Sequence, residues 1–197
     1  MFNDLFRRQA IGSIKRIEEQ TDGKQMSISS YRYSGDRTVL SYEEMNGYCN
    51  RAIKLNPNCK LTLILMQVND IEDYMKNEGS GFVQDLLQSV QDTVRRHVGH
   101  RGIVCPLQPN LMSVVVQDIN SDIKLRAFIE SLRSRIAWNY RLVDPKYEIS
   151  FSFGVACYPE NGMDMRIVHR KLVKALQMAQ EKHANCYVIY KEHLHGE

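Results

Sequence analysis

Charged side chains gather at two places in the sequence where they could do chemistry, and the first place is acidic. Asp70, Glu72 and Asp73 directly follow a long apolar run. A cluster of carboxylates suits Mg²⁺, a cation that prefers oxygen ligands. Acids are also favoured in the first turn of a helix, because they complement its dipole. We interpret the three acids as the start of a helix, with a metal site as the alternative.

The second place is basic and contains Arg95, Arg96, His97, His100 and Arg101. Guanidinium groups bind phosphates through paired hydrogen bonds, so Arg95, Arg96, His100 and Arg101 are candidate ligand-binding residues. Cations also suit the C-terminal end of a helix, and we favour that interpretation. The spacing of His97 and His100 differs from the i, i+4 spacing of zinc ligands on one helix face, so no zinc site is indicated.

Composition excludes several classes of protein. The 197 residues suit one domain, and a net charge of +3 with a pI of 8.6 is weaker than expected for a nucleic-acid binder. The cysteines are scattered without a CxxC pair, which predicts reduced, mostly buried thiols. No run approaches the ~18 apolar residues of a membrane span. Residues 1–20 mix acids with bases and do not form a signal peptide. We therefore expect a cytoplasmic protein, or the cytoplasmic piece of a longer one, without membrane insertion.

The N-terminal region is predicted to differ from the rest of the chain. Residues 3–20 carry an apolar stripe of helical period, and the polar stretch from Gln20 to Gln25 predicts a linker. We therefore divide the chain into a helix with its linker, residues 1–25, and a main domain, residues 26–197. Ser41 and Glu44 form a capping box that predicts the first helix of this domain.

The main domain is predicted to mix helices with strands. The apolar run "KLTLILMQV" is typical of a strand buried on both faces. A long helix follows it, and apolar residues around the turn pair Pro109-Asn110 then predict a hairpin over residues 102–117. A second amphipathic helix, the alternating strand "YEISFSFGVACY", a last helix and the strand "CYVIY" complete the chain.

This order predicts the fold class. From Leu61 to Tyr158 it is β-α-β-β-α-β, the ferredoxin-like arrangement, with an extra C-terminal helix and strand. We expect an α+β fold whose antiparallel central sheet is covered by helices on one face. Trp138, Tyr140 and Tyr147 lie around a predicted loop, and we interpret them as packing in the core or at its rim, with partner anchoring as the alternative.

Two motifs carry a resemblance to a known family. "FSFGVACYPENG", from Phe151 to Gly162, is followed at matching spacing by "KALQMAQEKHANCYVIY", and the pair Asp36-Arg37 precedes the first helix of the main domain. Together they resemble the GGDEF domain of bacterial diguanylate cyclases over roughly residues 36–191. The resemblance implies a nucleotide-cyclase-like fold and a role in cyclic di-GMP signalling, with control of biofilm, exopolysaccharide or motility.

The resemblance also places the family's functional positions on this sequence. In the family, carboxylates hold two Mg²⁺ ions against a triphosphate. Their strand positions fall on Gln67 and Asn69, and the motif itself falls on Gln108, Pro109, Asn110, Leu111 and Met112. The phosphate-binding Lys and Arg fall on Gln180 and Ala184, and the guanine-reading pair falls on Met75 and Lys76. With these residues replaced, the resemblance implies a degenerate domain that binds no metal or cofactor and is not an enzyme.

A shift of the alignment by one residue would bring Asp70 to a catalytic position. Successive side chains of a strand point to opposite faces, so the shift would aim Asp70 away from the family's site. Gly79 also matches the family's glycine only without the shift. The cyclic di-GMP motif R-x-x-D falls on Gly99 and Gly102 and is absent, which leaves the neighbouring basic residues as a possible ligand site.

These observations leave four functions open. The first is a catalytically inactive regulatory module of bacterial signalling that acts through contacts with a protein partner or a second copy. The second is a non-catalytic receptor for cyclic di-GMP or a related nucleotide. A live cyclase would need Asp70 and Glu72 to act from the wrong face, and an RNA binder would need an aromatic sheet motif that the sequence lacks. We predict the first function, with no nucleic acid bound.

Overall fold

A computed structural model describes residues 42–117, 119, 121–141, 149–182 and 185–196. The described residues all belong to one compact unit, Thr38–Glu197. The predicted N-terminal helix, the linker, Asp36-Arg37 and the Ser41 cap lie outside the described residues. The proposed division at residue 25 therefore stays a prediction.

The described chain alternates helices with strands in the predicted order. The helices are α1 (Tyr42–Leu55), α2 (Ile71–Val98), α3 (Asp122–Arg141), α4 (Met165–Glu181) and α5 (Glu192–His195), with a 3₁₀ turn at Gly99–Arg101. The strands are β1 (Leu61–Val68), β2 (Gly102–Gln108), β3 (Leu111–Gln117), β4 (Phe151–Tyr158) and β5 (Cys186–Ile189). The βαββαβ core, the hairpin and the extra helix and strand are all confirmed.

The sheet places β1 at its centre. Its strand order is β2-β3-β1-β4-β5, with β1 antiparallel to both neighbours and β5 parallel to β4. Ile64 of β1 lies between Val114 of β3 and Val155 of β4. A central strand contacts side chains on both sides and both faces, which explains the continuous apolar run of β1.

Helices cover both faces of the sheet, so the expectation of one covered face is wrong. Ile64 and Phe153 belong to a buried cluster with residues of α2 and α3. Gly154 points to the opposite face, where a Cβ atom would lie 2.3 Å from the backbone nitrogen of Leu176 in α4. Leu63 and Leu65 on this second face are also buried. Apolar side chains on alternate positions of β1 require a cover on each side, and only one side was anticipated.

Helix α2 is interrupted near its start. Gly79 has φ 87° and ψ 174°, which breaks the helix into two segments within Ile71–Val98. This backbone conformation is open to glycine and strained for other residues. The short first segment carries Glu72 and Asp73 in its first turn, as predicted.

The cysteines are free thiols, as predicted. Cys49 and Cys105 are buried, and burial raises the pKa of each thiol to about 12. Cys59, Cys157 and Cys186 are half-buried, so the expected burial holds fully for two of the thiols. Within the described ranges, no helix has the length and apolar character needed to cross a membrane.

Candidate functional site

The end of β1, the hairpin turn and the start of β4 meet at one edge of the sheet. The Val68 amide donates to the Asn110 carbonyl at 2.9 Å, and Asn110 Nδ2 donates to the Val68 carbonyl at 3.2 Å. On the other side, the Asn69 amide donates to the Ser150 carbonyl at 3.0 Å. The structure thus brings together positions that the resemblance had placed in one site.

A pair of amides joins this edge to helix α4. Gln180 Nε2 donates a hydrogen bond to Gln67 Oε1 at 2.5 Å, and both residues are half-buried. Gln67 reaches α4 because it lies on the sheet face that α4 covers. Both groups are neutral amides, so neither brings a net charge to the edge. We call Gln67, Asn69, Asn110 and Gln180 the strand-end site.

The polar side chains that follow β1 bind two serines. Asn69 Oδ1 accepts from Ser152 Oγ at 3.2 Å, and Asp70 Oδ2 accepts from Ser150 Oγ at 3.0 Å. The two serines were not identified from the sequence, although they alternate with the inward phenylalanines of their segment. Their hydroxyls complete the polar contacts at this edge.

Asp70 differs from the interpretation given to it from the sequence. It is the residue before α2, with φ 56° and ψ 23°, and its carboxylate makes no capping bond to the helix. Because it precedes the helix, it is not a first-turn acid. Its carboxylate accepts a hydrogen bond from Ser150 instead. Asp73 is a first-turn acid and lies 3.8 Å from the exposed Lys76. Among the described residues, no group of three or more His, Cys, Asp or Glu side chains is arranged to hold a metal ion.

The hairpin positions divide into a buried pair and an outer turn. Leu111 and Met112 are buried in the sheet, whereas Pro109 is exposed and Gln108 lies opposite Leu111 across the turn. Apolar side chains at the strand end make the turn a structural connection. Of the other family positions, Met75 is partly exposed on α2, and Ala184 lies outside the described residues.

A second feature is an open groove between the C-terminal end of α2 and helix α3. Its volume is about 930 Å³, and Val116 and Gln117 of β3 also line it. Cationic and histidine side chains dominate its lining, and together they define the basic groove: Arg96, His97, His100, Arg101, Lys124 and Arg135. Three of the four candidate ligand residues therefore line one cavity.

Arg95 is the candidate that does not line the groove. Its Nη1 lies 3.4 Å from Asp92, so its guanidinium pairs along α2. Lys124 and Arg135, by contrast, line the groove and were missed, because they come from α3 and are distant in sequence. Their positions on the exposed stripe of an amphipathic helix were the available signal.

The groove cations lack acidic partners in the described part of the chain. Arg96 Nη2 donates to Thr93 Oγ1 at 3.3 Å, and Arg101 Nη2 donates to the His97 carbonyl at 3.0 Å. Neither contact neutralises a charge. The groove therefore has a positive potential that is not offset by its own lining.

The aromatic ring of Phe128 in the groove is already covered by neighbouring side chains. The His97 ring lies 4.6 Å from the Phe128 ring, and the Arg101 guanidinium lies 5.5 Å from it. His97 Nε2 also donates to the Phe128 carbonyl at 3.3 Å. Burial lowers the pKa of His97, while the bond to Phe128 raises it and the charges of Arg135 and Arg101 lower it further. His97 is therefore neutral at pH 7.

Trp138 corrects another expectation. It lies in the last turn of α3, and 66% of its surface is exposed. Packing in the core is thus the wrong interpretation of this residue, because most of the indole contacts solvent. The side chain of Tyr140 and the whole of Tyr147 lie outside the described residues.

Comparison with known proteins gives the family. A family model described as "Diguanylate cyclase, GGDEF domain" matches residues 42–186. None of the curated proteins compared with the chain matches its sequence. Solved structures do match its fold, although with low sequence identity.

Three of these structures are representative. The GGDEF domain of PA1120 (YfiN or TpbB) from Pseudomonas aeruginosa has a TM-score of 0.68 and 15% identity, covering 77% of this chain and 96% of that one. The active GGEEF domain of a diguanylate cyclase from Vibrio cholerae has a TM-score of 0.66 and 15% identity, with 76% and 94% covered. The GGDEF domain of DgcB from Caulobacter crescentus, in complex with c-di-GMP, has a TM-score of 0.64 and 11% identity, with 84% and 98% covered. At these identities the likeness supports the fold. Because the family model also spans well over half of the sequence, the chain belongs to the GGDEF family.

Proposed function

We propose that this protein is a catalytically silent regulatory module of bacterial signalling that acts through protein contacts. The observation that carries the proposal is the hydrogen bond between Gln67 and Gln180. The resemblance assigns a metal-binding aspartate and a phosphate-binding lysine to these positions. Here two neutral amides occupy them and bind each other.

The charge requirement of the reaction supports this proposal. Holding two Mg²⁺ ions against a triphosphate needs anionic oxygen ligands, and the transferred charge needs cations beside it. An amide oxygen can coordinate a cation but contributes no net charge. The donor set of the strand-end site therefore does not fit a pair of Mg²⁺ ions.

The neighbouring acid does not replace the missing ligands. Asp70 is a single carboxylate, and Ser150 already donates to it. Glu72 and Asp73 begin α2 and are exposed or half-exposed. A reorganised metal site would need these side chains to leave their present positions together.

The role through protein contacts is supported by exposed apolar side chains. Trp138 on α3 is 66% exposed, and tryptophan is enriched among the residues that dominate binding at protein interfaces. Such a side chain costs free energy in water and recovers it when a partner covers it.

An assay of GTP turnover tests the silent state. The purified chain is incubated with GTP and Mg²⁺, beside an active diguanylate cyclase as positive control, and cyclic di-GMP is measured by mass spectrometry. We expect no product and no Mg²⁺-dependent GTP binding. Product formation that is lost in Asp70→Asn would contradict the proposal and would identify Asp70 as a metal ligand.

The second candidate function is a receptor for cyclic di-GMP or a related nucleotide. The cations of the basic groove, which have no acidic partner in the ranges that the structure describes, favour it, since phosphates bind guanidinium groups strongly. Calorimetric titration with cyclic di-GMP tests it directly. Binding that weakens in Arg96→Gln and Arg101→Gln would support a receptor, and the absence of heat would remove this candidate.

A further inference from the structure

We infer that the basic groove, together with Trp138, is a docking site for an acidic segment of a partner protein. The inference rests on the proposed action through protein contacts, and it names the surface and the chemistry of the partner. A carboxylate-rich chain would supply the negative charges that the described lining of the groove lacks.

The first step of the argument is the distribution of ion pairs. Elsewhere on the surface, several basic side chains have an acidic partner: Arg95 with Asp92, Arg133 with Glu130, Arg166 with Asp164, and Lys191 with Asp122. Within the described residues, Arg96, Arg101, Lys124 and Arg135 have none. Charges of one sign around a cleft raise the local concentration of the opposite charge and accelerate its binding.

The second step is the shape of the surface. Lys124, Phe128, Ser131 and Arg135 line the groove from α3, and Trp138 continues their spacing of three or four residues. These side chains therefore form one stripe along the helix. At 1.5 Å per residue the stripe is about 21 Å long, the length of an extended segment of about six residues.

The third step concerns the chemical class of the occupant. Small-molecule sites are mostly enclosed and apolar, with few polar groups, whereas this groove is open and mostly polar. Phe128, its aromatic lining residue, is 7% exposed and contacts His97 and Arg101, so it gives a nucleobase little surface for stacking. The net charge of +3 is small for a nucleic-acid binder. An acidic peptide with an apolar residue for Trp138 fits the groove better.

A peptide titration with matched variants tests the inference. The probe is a fluorescein-labelled poly-glutamate peptide that ends in leucine, added to the full chain at low and at physiological salt and followed by anisotropy. Trp138 is the single tryptophan of the sequence, so its emission reports contact at the predicted end of the site. We expect saturable binding that changes this emission.

Two double variants separate the groove from general charge. Lys124→Gln with Arg135→Gln removes two charges from the groove, and Lys182→Gln with Arg170→Gln removes the same two residue types from exposed positions on or beside α4. Both pairs leave the same net charge. We expect the groove pair to weaken binding about tenfold and the control pair to change it less than about twofold.

Other results would overturn the inference. Equal losses in the two double variants would mean unspecific attraction, and no binding at low salt would mean that the groove does not dock acidic chains. Displacement of the peptide by cyclic di-GMP at lower concentration would make the groove a nucleotide site. The GTP assay is independent of the peptide titration. GTP turnover would contradict the proposed catalytic silence, whereas a peptide titration without binding would contradict only the docking site.

Discussion

The strand-end site and the basic groove lie in one small domain, but they differ in whether their polar side chains are paired with other groups of the protein. In the strand-end site, Gln67 binds Gln180 and Asn69 binds Ser152, so these side chains already make hydrogen bonds inside the fold. In the groove, Arg101 and Arg96 make only neutral contacts with the described residues, and no acid among those residues pairs with them.

This difference teaches where a ligand would gain free energy. A ligand at the strand-end site must first break hydrogen bonds that the protein already makes, and each partner left unpaired costs about 1–3 kcal/mol. A ligand of negative charge at the groove displaces water and breaks no ion pair between described residues. The contrast favours the groove as the surface that binds and the strand-end site as part of the framework.

The largest expected effect comes from the contact that places Gln180 beside Gln67. In Gly154→Ala, the added methyl group would meet the backbone of Leu172 and Leu176 at 2.6 and 2.3 Å. Backbone cannot move aside as a side chain does, so we expect a loss of about 3 kcal/mol or more in the free energy of unfolding. Urea unfolding measures it.

Gly81→Ala is the matched control for this change. No atom lies within 4 Å of a Cβ built on Gly81, which is exposed in α2. Alanine also favours a helix over glycine, so stability should stay equal or rise by up to about 1 kcal/mol. Equal losses in the two variants would mean that α4 does not pack on β4 as described.

Acid should destabilise the layer of α1 and α4 through His169. His169 is buried, its Nε2 has no hydrogen-bond partner among the described residues, and its Nδ1 lies 3.4 Å from the Tyr42 hydroxyl. Burial lowers the pKa of His169 to about 4 from 6.5. The unfolded chain therefore binds the proton first, and the free energy of unfolding should fall by about 3 kcal/mol as pH drops from 6.5 to 4.

The measurement is urea unfolding at several pH values for the wild type and for His169→Leu. The variant should lack most of this slope, because leucine does not titrate. His97 in the groove also has a lowered pKa but is half-buried, so His97→Gln should retain most of the slope. A slope that survives in His169→Leu would place its origin elsewhere.

The amide pair gives a smaller effect that bears directly on the comparison. Gln67→Ala leaves Gln180 Nε2 without its partner, which should cost about 1–2 kcal/mol of unfolding free energy. Removing Gln180 as well should cost less than the sum of the two single losses, with a coupling of about 1 kcal/mol. A thermal double-mutant cycle measures the coupling, and additive losses would show that the two amides do not interact.

The sequence predicted the framework better than the surfaces. Alternation along β4 and helical spacing in α3 are local signals, and Phe151, Phe153, Leu132 and Ile136 are buried as they indicate. The cover on the second face was missed, because the apolar pattern of β1 shows that both faces are buried without showing which helix covers each.

The residues of the strand-end site were easier to identify from the sequence than those of the basic groove, again because local patterns do not show how helices pack. The strand-end positions came from a motif whose spacing fixes its place in the fold. The groove is made by α2 and α3 together, so Arg95 was included although it faces Asp92, while Lys124 and Arg135 were missed. Contacts between residues distant in the chain depend on how the helices pack, which periodicity alone does not give.

The smallest expected effect is on stability at the groove. Arg135→Gln removes an exposed charge that has no acidic partner in the described chain, so no ion pair is lost. Surface changes of this kind usually stay within about 0.5 kcal/mol, and here the sign should be stabilising because nearby positive charges repel less. Thermal unfolding at low and high salt measures it, and the gain should shrink as salt screens the repulsion. If Arg135→Gln destabilised the fold as much as Gln67→Ala, the contrast between the two sites would be wrong, because Arg135 would then stabilise the fold as Gln67 does.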